Sequence, residues 1–459
     1  MKVLLMPIFN GLRARNFFLT DLYPELLKSG ARLVVLAPSH KVDYYRKTYA
    51  HPQVVFEEWN PAREHRLGAA IQWLAFNALG TGTVRAKQYS FYVRDRNFLK
   101  YAARRLVGIA FGGARWFRKF LRMLDRLLVP ADARLLEFIK AHGPDAVLAP
   151  DIILSSDRLV LRAARAASVR SIGMVRSWDN LTAKGVIQVM PDYLIAQTGE
   201  MKKEAVQLGD MEADRIRVCG VAQFDEYWKP PKKTKEEFLR SLNIPMGRRL
   251  VLCAPFFGEY SRSSGIMLIK KLAQAIDSGG LPGDLHLLVR YRPEDLNAFD
   301  APGTAALGHP RITVTKPYSI PFKTNGSKPD YEFTPADVEL MVNSLRHSEI
   351  TITTISTLTV DAIALDKPAV NIRFDADPNT PPGDRVELFS HFDHYLALEA
   401  TGGVRLAHSF EELLLQLNAY LEDPRLDAEG RAKIRRAQIE FEDARSGARS
   451  AQAIIGLVS

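Results

Sequence analysis

The amino-acid sequence predicts an α/β protein made of two doubly wound halves that face each other across a cleft. Short apolar runs alternate with helical patterns along most of the 459 residues, which is the order expected of parallel sheets covered by helices. A cluster of prolines and charged residues, Lys229 to Glu237, interrupts this order near the middle. We therefore expect a first domain over 1–228, a linker over 229–245 and a second domain over 246–459.

The first half opens with a strand, helix, strand pattern. Val3 to Phe9 is an apolar run, about Asn16 to Lys28 is helical in pattern, and a second run follows the Ser29-Gly30 stop at Arg32 to Pro38. This βαβ order predicts a parallel sheet. The later elements expected here are three strands and one helix: strands Asp145–Pro150, Ser171–Val175 and Tyr193–Ala196, and helix Arg158–Ala167.

The second half repeats the pattern. Strands are expected at Arg249–Ala254, Leu285–Val289, Glu349–Thr353 and Ala369–Ile372. Helices are expected at Gly265–Asp277, Thr334–Ser344, Thr359–Leu365 and, at the C-terminus, Arg435–Ile455. In such sheets ligands bind outside the carboxyl ends of the strands, so we expect the site in the cleft between the halves.

The positive charge of the chain is concentrated in one segment. The formal net charge is +10, and residues Arg85 to Arg126 hold twelve basic and two acidic residues, which accounts for all of it. Such a stripe suits a basic face toward an anionic surface and argues against general coating of nucleic acid. The two cysteines, Cys219 and Cys253, lie in strand-like runs, which favours the reducing cytoplasm. No run is long enough for a spanning helix, and the apolar start, interrupted by Pro7, is better explained as a strand than as a signal peptide.

Within that segment, residues Ala114 to Leu128 form a basic amphipathic helix. Aromatic and leucine side chains recur at helical spacing, and basic residues form the complementary stripe. We predict that the protein contacts an anionic membrane surface through Arg115, Trp116, Arg118, Lys119 and Arg122. The alternative is a helix packed on its own domain with a solvated basic face.

The strongest local signal for a ligand is the stretch Thr353 to Asp361. A strand ends in serine and threonine residues and a helix begins, so that free N–H groups and hydroxyls can bind a phosphate. We predict a diphosphate at Ser356 and Thr357, with Asp361 accepting from a hydroxyl of the ligand. The alternative is that Ser356 or Thr357 only caps the helix.

Two further loops follow strands of the second half. Arg290 and Arg292 could bind phosphate oxygens, although solvent-exposed arginines would leave the same pattern. Gly258, in the loop after the strand Arg249–Ala254, would let the backbone approach a ligand closely, and an ordinary turn is the alternative.

In the first half, residues Arg176 to Gly185 combine polar, charged and aromatic side chains directly after a strand. Asp179 is the candidate general base, with Trp178, Asn180 and Lys184 as cleft residues; an Asx turn is the alternative for Asp179 and Asn180. The loop after the first strand could place Arg13 or Arg15 in the same cleft, or leave both in solvent.

Histidines and sequence motifs narrow the chemistry. His391 and His394 are spaced as some metal ligands are, but no carboxylate partner accompanies them, so we expect no metal and take His391 as a cleft residue. The chain has no GxGxxG followed by an acid, no GxxxxGK[ST] and no GxSxG. Dehydrogenases, P-loop NTPases and α/β-hydrolases therefore lack their usual signatures, and no cofactor is expected.

Taken together, these motifs resemble the GT-B transferases, in particular CDP-glycerol glycerophosphotransferase-like and surface-polysaccharide glycosyltransferases. In the second half the resemblance rests on Cys253 to Phe257, Val289 to Pro293 and Ile352 to Thr357 with Asp361 and Asp366-Lys367-Pro368. In the first half, Arg15 to Phe18 with Thr20-Asp21, Ser177 to Gly185 and Val218 to Asp225 are similar to a subgroup of bacterial glycosyltransferases. One departure is Arg292, which stands where an Arg-x-His-Pro element has histidine, so no histidine role is carried over to that position.

The resemblance implies the GT-B fold, two Rossmann-like domains with a C-terminal helix. It also implies a metal-independent enzyme that moves a sugar from a nucleotide-sugar to a lipid-linked or polysaccharide acceptor in bacterial surface glycan synthesis. The basic segment, which the resemblance does not cover, adds the expectation that the enzyme is cytoplasmic and peripheral on the inner face of the membrane. The alternatives are a polyol-phosphate transferase using a CDP-activated donor, an isomerase similar to the UDP-sugar 2-epimerases, and a non-catalytic nucleotide-sugar or lipid-binding protein.

Overall fold

The structure is a computed structural model, which describes residues 1–255, 262–291, 307–324, 330–354 and 356–458. Two of the predicted site residues, Gly258 and Arg292, lie outside these ranges.

The first half is built on a seven-stranded parallel sheet. Its strand order is β3-β2-β1-β4-β5-β6-β7, so the chain begins in the middle, moves to one edge and then returns to build the other. The strands are β1 (Val3–Pro7), β2 (Arg32–Ala37), β3 (Val54–Glu58), β4 (Ala146–Ala149), β5 (Arg170–Met174), β6 (Tyr193–Ala196) and β7 (Ile216–Val218). The strands are mostly buried on both faces, which explains their apolar runs.

Helices cover both faces of this sheet. They are α1 (Gly11–Phe18), α2 (Leu22–Lys28), α3 (Ser39–Thr48), α4 (Arg66–Asn77), α5 (Gly82–Asp95), α6 (Phe98–Phe111), α7 (Arg115–Leu128), α8 (Ala133–His142), α9 (Ser155–Ala166), α10 (Asn180–Ala183), α11 (Gly199–Gln207) and α12 (Asp225–Trp228). The predicted amphipathic helix over Ala114–Leu128 is confirmed as α7.

The second half has its own parallel sheet of six strands in the order β10-β9-β8-β13-β14-β15, plus a separate antiparallel pair, β11 and β12. Its strands are β8 (Arg249–Ala254), β9 (Leu285–Arg290), β10 (Ile312–Thr315), β11 (Ile320–Phe322), β12 (Asp330–Glu332), β13 (Ser348–Thr353), β14 (Ala369–Ile372) and β15 (Arg405–Ala407). The helices are α13 (Lys235–Ser241), α14 (Arg262–Asp277), α15 (Pro335–His347), α16 (Leu358–Ala364), α17 (Asp393–Glu399), α18 (Phe410–Glu422), α19 (Ala428–Gln438) and α20 (Ser446–Val458). The predicted α/β class with two doubly wound halves is confirmed.

The helix predicted over Asn16–Lys28 is wrong in extent, because the structure has two helices there. α1 ends at Phe18 and α2 begins at Leu22. Pro24 explains the break: a continuous helix would need an N–H at this position, and the proline ring would clash with the carbonyl of Thr20. Proline is tolerated in the first turn of the new helix, where that N–H has no intrahelical acceptor.

The single terminal helix predicted over Arg435–Ile455 is likewise two helices, and the last one returns to the first half. In α20, Ala451, Ile454, Leu457 and Val458 are buried in the core beneath the first sheet. The backbone N–H groups of Ser446 and Gly447, at the start of α20, donate to the Asp225 carboxylate at 3.0 and 2.8 Å. The chain therefore crosses between the halves twice.

Two further contacts join the halves on either side of the cleft. In the first, Lys41 and Tyr45 of α3 donate to the buried Glu332 of β12, and the Lys41 Nζ to Glu332 Oε1 distance is 2.6 Å. In the second, the Thr83 N–H donates to Asp393 Oδ2 at 2.8 Å, and the Asp393 N–H donates to the Thr83 hydroxyl at 2.8 Å. These contacts hold the carboxyl edges of the two sheets against a common cleft.

Candidate functional site

A cavity of about 340 Å³ lies between the two sheets and is lined by residues of both halves. Arg15 of α1, Arg176 after β5 and Arg290 at the end of β9 all line it. Asp361 and Asp337 are the acidic lining residues, and both Asp337 oxygens already accept from nearby N–H groups, of Tyr318 and Thr334. We call this cavity the basic cleft. Its balance of charge favours an anionic ligand.

Arg15 and Arg176 are held in place by the first half. The Arg15 Nη2 donates to Asn16 Oδ1 at 3.0 Å and to Gln223 Oε1 at 3.1 Å, and its guanidinium lies over the Phe333 ring at 5.1 Å. The Arg176 Nε lies 3.2 Å from the buried Asp151 Oδ2. Anchored on one side, each guanidinium keeps further N–H donors for a ligand.

Arg290 is the least compensated of the three. It makes no hydrogen bond or ion pair with any residue that the structure describes, although it is only partly accessible. Burial lowers its pKa, while Tyr227, Asp337 and Asp361 act in the opposite direction. An arginine stays protonated at any working pH, so the lowered pKa reports the cost of a poorly solvated charge. A phosphate in the cleft would supply the missing partner.

Asp361, on α16, faces the three arginines of the basic cleft. Its Oδ1 accepts a hydrogen bond from the Tyr227 hydroxyl at 2.5 Å. Burial raises the pKa of Asp361 to about 6, against the effects of Tyr227, Arg15 and Arg290, which favour the carboxylate. The prediction that Asp361 lies at the ligand site agrees with this placement, and at pH 7 it would be an acceptor for a ligand hydroxyl.

A second cavity, of about 330 Å³, adjoins the first. Four aromatic side chains lie in its wall: Trp178 and Tyr395, with ring centroids 5.2 Å apart, and Phe389 and Phe392. The rest of the lining is largely polar, with Lys87, Asp179 and Asp384 among it. Thr357 lines both cavities, so they meet at the beginning of α16. We call this cavity the aromatic pocket. Flat apolar rings beside polar groups are a surface on which a sugar ring can pack.

Asp179 lies in the wall of the aromatic pocket, and its neighbours hold it ionised. Burial acts against the carboxylate, but Lys184, a hydrogen bond from Ser177 and the nearby His394 and Lys87 outweigh it and lower the pKa of Asp179. Lys184 Nζ is 3.4 Å from Asp179 Oδ2. Trp178 and Lys184 also line the cavities, as predicted from the sequence. An ionised carboxylate at this position can accept a proton from a hydroxyl.

Of the two histidines, the structure brings His394 to the site and not His391. His391 is exposed in the turn before α17, whereas His394 is buried on α17 and lines the aromatic pocket. The prediction for His391 is therefore wrong, because the start of α17 falls between the two residues and turns them to different sides. Burial lowers the pKa of His394 to about 4, so its ring is neutral at pH 7. His394 Nδ1 has no hydrogen-bond partner among the described residues.

Ser356 and Thr357 border the aromatic pocket, but their local roles are modest. The Leu358 N–H donates to the Ser356 hydroxyl at 3.2 Å, which is the capping role that the sequence left open. α16 has seven residues, so its dipole is small. The neighbouring arginines are the stronger attraction for a diphosphate.

Two other predicted cleft residues have structural roles. Arg13 is buried in an ion pair with Asp157, on the far side of α1 from Arg15, so the prediction for it is wrong. Residues two apart on a helix point to different faces, which decides between the two arginines. Asn180 is fully buried and lines neither cavity; its Oδ1 accepts from Lys184 at 2.8 Å and so positions that lysine.

The sequence did not single out Arg176, Tyr227 and Lys87, which all line the site. The sequence could have indicated Arg176, since this residue begins the polar stretch that contains Asp179. Lys87 was counted only in the basic segment; its Nζ donates to the Ala183 carbonyl at 2.8 Å and lies over the Phe392 ring. No feature of the sequence indicated Tyr227, which lies next to the expected linker.

A side groove of about 510 Å³ opens from the aromatic pocket, with which it shares Lys87, Phe389 and Phe392. Phe76, Phe91 and Leu154 extend its apolar wall. No cluster of three His, Cys, Asp or Glu side chains with the arrangement of a metal site occurs in the part of the chain that the structure describes.

Solved structures with the same architecture are found among nucleotide-sugar enzymes. A UDP-GlcNAc 2-epimerase from Neisseria meningitidis bound to UDP-GlcNAc superposes with a TM-score of 0.57 at 12% identity, covering 99% of this chain and 100% of that chain. The Staphylococcus aureus MnaA-UDP structure has a TM-score of 0.56 at 13% identity, covering 100% and 97%. A glycosyltransferase from Rickettsia africae has a TM-score of 0.52 at 11% identity, covering 100% and 98%. No protein-family model and no curated sequence matches the chain.

At these identities the likeness establishes the fold and leaves the reaction open. The likeness covers both halves of this chain. The chain has the two-domain GT-B fold that its motifs predicted.

Proposed function

We propose that the protein is a glycosyltransferase that moves a sugar from a nucleotide-sugar donor to a lipid-linked or polysaccharide acceptor in bacterial surface glycan synthesis. The observation that carries the proposal is the convergence of Arg15, Arg176 and Arg290 on one interdomain cleft beside the ionised Asp179. The proteins of the same fold supply the substrate class, since two of those structures contain UDP or UDP-GlcNAc.

The donor diphosphate would lie in the basic cleft. Three guanidinium groups, of which Arg290 has no partner among the described residues, can form charge-assisted hydrogen bonds to phosphate oxygens. Asp361 would accept from a donor hydroxyl, and Thr357, which borders both cavities, would lie near the bond to be broken. This arrangement stabilises a leaving nucleoside diphosphate with basic side chains, and we propose a metal-independent reaction on that basis.

The sugar and the acceptor hydroxyl would meet in the aromatic pocket. Asp179 would take the proton of the acceptor hydroxyl as its oxygen attacks the anomeric carbon. The bond from that carbon to the diphosphate breaks, and its electron pair leaves with the nucleotide, beside the arginines. Lys184, paired with Asp179, keeps the base ionised before the reaction.

The side groove supports an acceptor with an apolar part. Phe76, Phe91 and Leu154 provide an apolar part of its wall, beside basic side chains such as Arg94 and Arg158, and the groove is continuous with the pocket that contains Asp179. A lipid-linked acceptor would place in this groove the part of its hydrocarbon chain that adjoins the linkage group. We accordingly place the enzyme at the cytoplasmic face of a membrane.

The test is incubation with UDP-, GDP-, CMP- and CDP-sugars, with and without membrane lipid extract as the source of acceptor, while released nucleotide is measured. We expect release from one donor to depend on the extract. Asp179→Asn should lower that turnover by about a hundredfold or more with little change in donor affinity. Asp43→Asn, at an exposed carboxylate of the first half, is the control.

An epimerase is the second candidate, because several structures with this fold are UDP-GlcNAc 2-epimerases. Epimerisation inverts a stereocentre in the sugar of the nucleotide-sugar and needs no acceptor. Conversion of a donor in the absence of lipid extract, seen by chromatography of the product, would replace the transferase proposal. A CDP-activated polyol donor, used in preference to every sugar donor, would do the same.

A further inference from the structure

Helices α6 and α7 both pack on α4, meet where Phe111 stacks on Phe117, and expose large apolar side chains. On α7, Trp116 is 63% exposed and Leu127 is 71% exposed, with Phe120 and Met123 between them. These four positions are separated by four, three and four residues, so they form one stripe along the helix. α6 has no fully buried residue and adds the exposed side chains of Phe98, Leu99, Leu106 and Ile109. So large an exposed apolar patch marks an interaction surface.

The sequence predicts that the whole basic stripe of α7 faces outward, but the structure divides it: Arg115, Lys119 and Arg126 are exposed, whereas Arg118 and Arg122 face the domain. Arg118 is buried, and its Nη2 lies 2.6 Å from Asp210 Oδ1. The Arg122 Nη1 lies 2.7 Å from Asp210 Oδ2, and its Nε donates to the Ile187 carbonyl at 2.8 Å. The prediction that Arg118 and Arg122 contact a membrane is therefore wrong, because both arginines anchor α7 to the domain.

The charges that remain outside are all basic. Between residues 96 and 128 the acidic side chain is Asp125, which is buried against Arg162 at 2.6 Å. Lys100, Arg115, Lys119 and Arg126 are exposed at the border of the apolar stripe. A surface that combines aromatic and aliphatic side chains with basic ones and no acid suits the interface of an anionic bilayer.

The position of this surface relative to the site fits the same partner. α5 packs against α6, where Tyr92 stacks on Tyr101 with ring centroids 4.9 Å apart. The same helix carries Lys87 and Phe91 into the wall of the side groove. One helix thus separates the exposed apolar face from the groove proposed for the acceptor.

We propose that the exposed apolar side chains of α6 and α7 insert into the interface of an anionic lipid bilayer, with Lys100, Arg115, Lys119 and Arg126 at the headgroups. The bound state is stabilised mainly by burial of apolar side chains, and the basic residues select anionic lipid. This inference rests on the proposed function only in supplying a reason for membrane contact. No helix in the described ranges is long and apolar enough to span a bilayer.

The experiment is flotation of the full chain with vesicles of phosphatidylcholine and phosphatidylglycerol, and with phosphatidylcholine alone, without donor or acceptor. We expect the chain to float with the anionic vesicles and to remain partly bound at about 0.5 M salt, where exposed charges are screened. Phe120→Glu with Leu127→Glu should weaken binding by about tenfold or more. Leu415→Glu is the matched control, because Leu415 is 69% exposed on α18 of the second half.

Three outcomes would overturn the proposal: no flotation of the unaltered chain, unchanged flotation of the Phe120→Glu, Leu127→Glu variant, or full release at high salt. Sedimentation without vesicles tests a second copy as the occupant; a dimer that the double substitution converts to monomer would also overturn it. Nucleotide-sugar binding by the same variant in vesicle-free solution reports on the proposed function separately, since neither residue lines the cleft.

Discussion

At the scale of single residues, the site depends on charges that the fold leaves without a counterpart. The Arg290 side chain, at the end of β9, forms no hydrogen bond or ion pair with a described residue, and His394 Nδ1, in the wall of the aromatic pocket, has no hydrogen-bond partner among them either. Folding alone would not favour either arrangement, because a buried polar group without a hydrogen bond costs free energy. Both are accounted for if a ligand completes them.

The first prediction concerns Arg290. Arg290→Gln should weaken binding of the nucleotide-sugar substrate by about tenfold to a hundredfold, the effect of losing one charge-assisted contact to phosphate. Titration calorimetry measures it. Arg425→Gln, at an arginine whose side chain is 88% exposed, should leave the affinity unchanged. Equal affinities in both variants would remove Arg290 from the donor site.

The second prediction concerns pH and His394. Burial lowers its pKa to about 4 from 6.5, so the unfolded chain binds the proton first as pH falls. Through this residue the free energy of unfolding should decrease by up to about 3 kcal/mol as pH falls from 6.5 toward 4. His394→Gln should lack this contribution, which urea denaturation at pH 7.5 and pH 5 would show. The exposed His408→Gln should keep the pH slope of the unaltered chain, and parallel slopes for all three would contradict the expectation.

At the scale of elements, α7 shows how one contact decides which face of a helix is buried. Either of two faces of this helix could pack on the domain, because its arginines and its aromatic residues both recur at helical spacing. Asp210 selects between them by pairing with Arg118 and Arg122 in a buried position. The apolar stripe of the same helix is consequently exposed, and the surface that results is of a different kind from the one expected.

The third prediction tests this pairing. Asp210→Asn keeps the size of the side chain and tolerates the positive φ of 59° at this position, but removes the charge. We expect a loss of about 3 kcal/mol in the free energy of unfolding, because two inward arginines lose their partner. Chemical denaturation measures it, with the exposed Asp214→Asn as the control. A variant as stable as the unaltered chain would mean that apolar contacts alone orient α7.

At the scale of the whole molecule, the halves are linked by more than the covalent connections between them. The last helix, α20, packs on the first sheet, and its start is capped by Asp225 just before the chain enters the second half. The buried Lys41 and Glu332 pair joins the halves again near the cleft. Contacts of this kind couple the stability of one half to the other and set the width of the cleft.

The fourth prediction follows from the position of α20. Ile454→Ala should lower stability by about 3 kcal/mol, since Ile454 is fully buried. The loss should appear in the first half: hydrogen exchange should accelerate in β1 and β5 before β8 and β13. Gln452→Ala, at an exposed position of the same helix, is the control. Faster exchange confined to the second sheet would contradict the packing described.

Much of the architecture could be predicted because its signals are local. Buried parallel strands are continuous apolar runs, so most of the central strands were found, whereas the short edge strands β3, β10 and β15 were not. Asp179, Trp178, Arg15 and Asp361, which the sequence singles out, line the two cavities because each follows a strand or lies in a helix at the edge where the cleft forms.

The sequence by itself determined the α/β class, the two halves and the chain segments that border the cleft, since these depend on periodicity and on the order of elements. The tertiary structure alone decided which side chain of a segment reaches the cleft: Arg15 over Arg13, His394 over His391, and Lys87 out of a run of surface charges. It also turned Arg118 and Arg122 of α7 inward and the tryptophan of that helix outward. The physical reason is that these choices depend on partners distant in the chain, such as Asp157 and Asp210, with which a buried charge must pair.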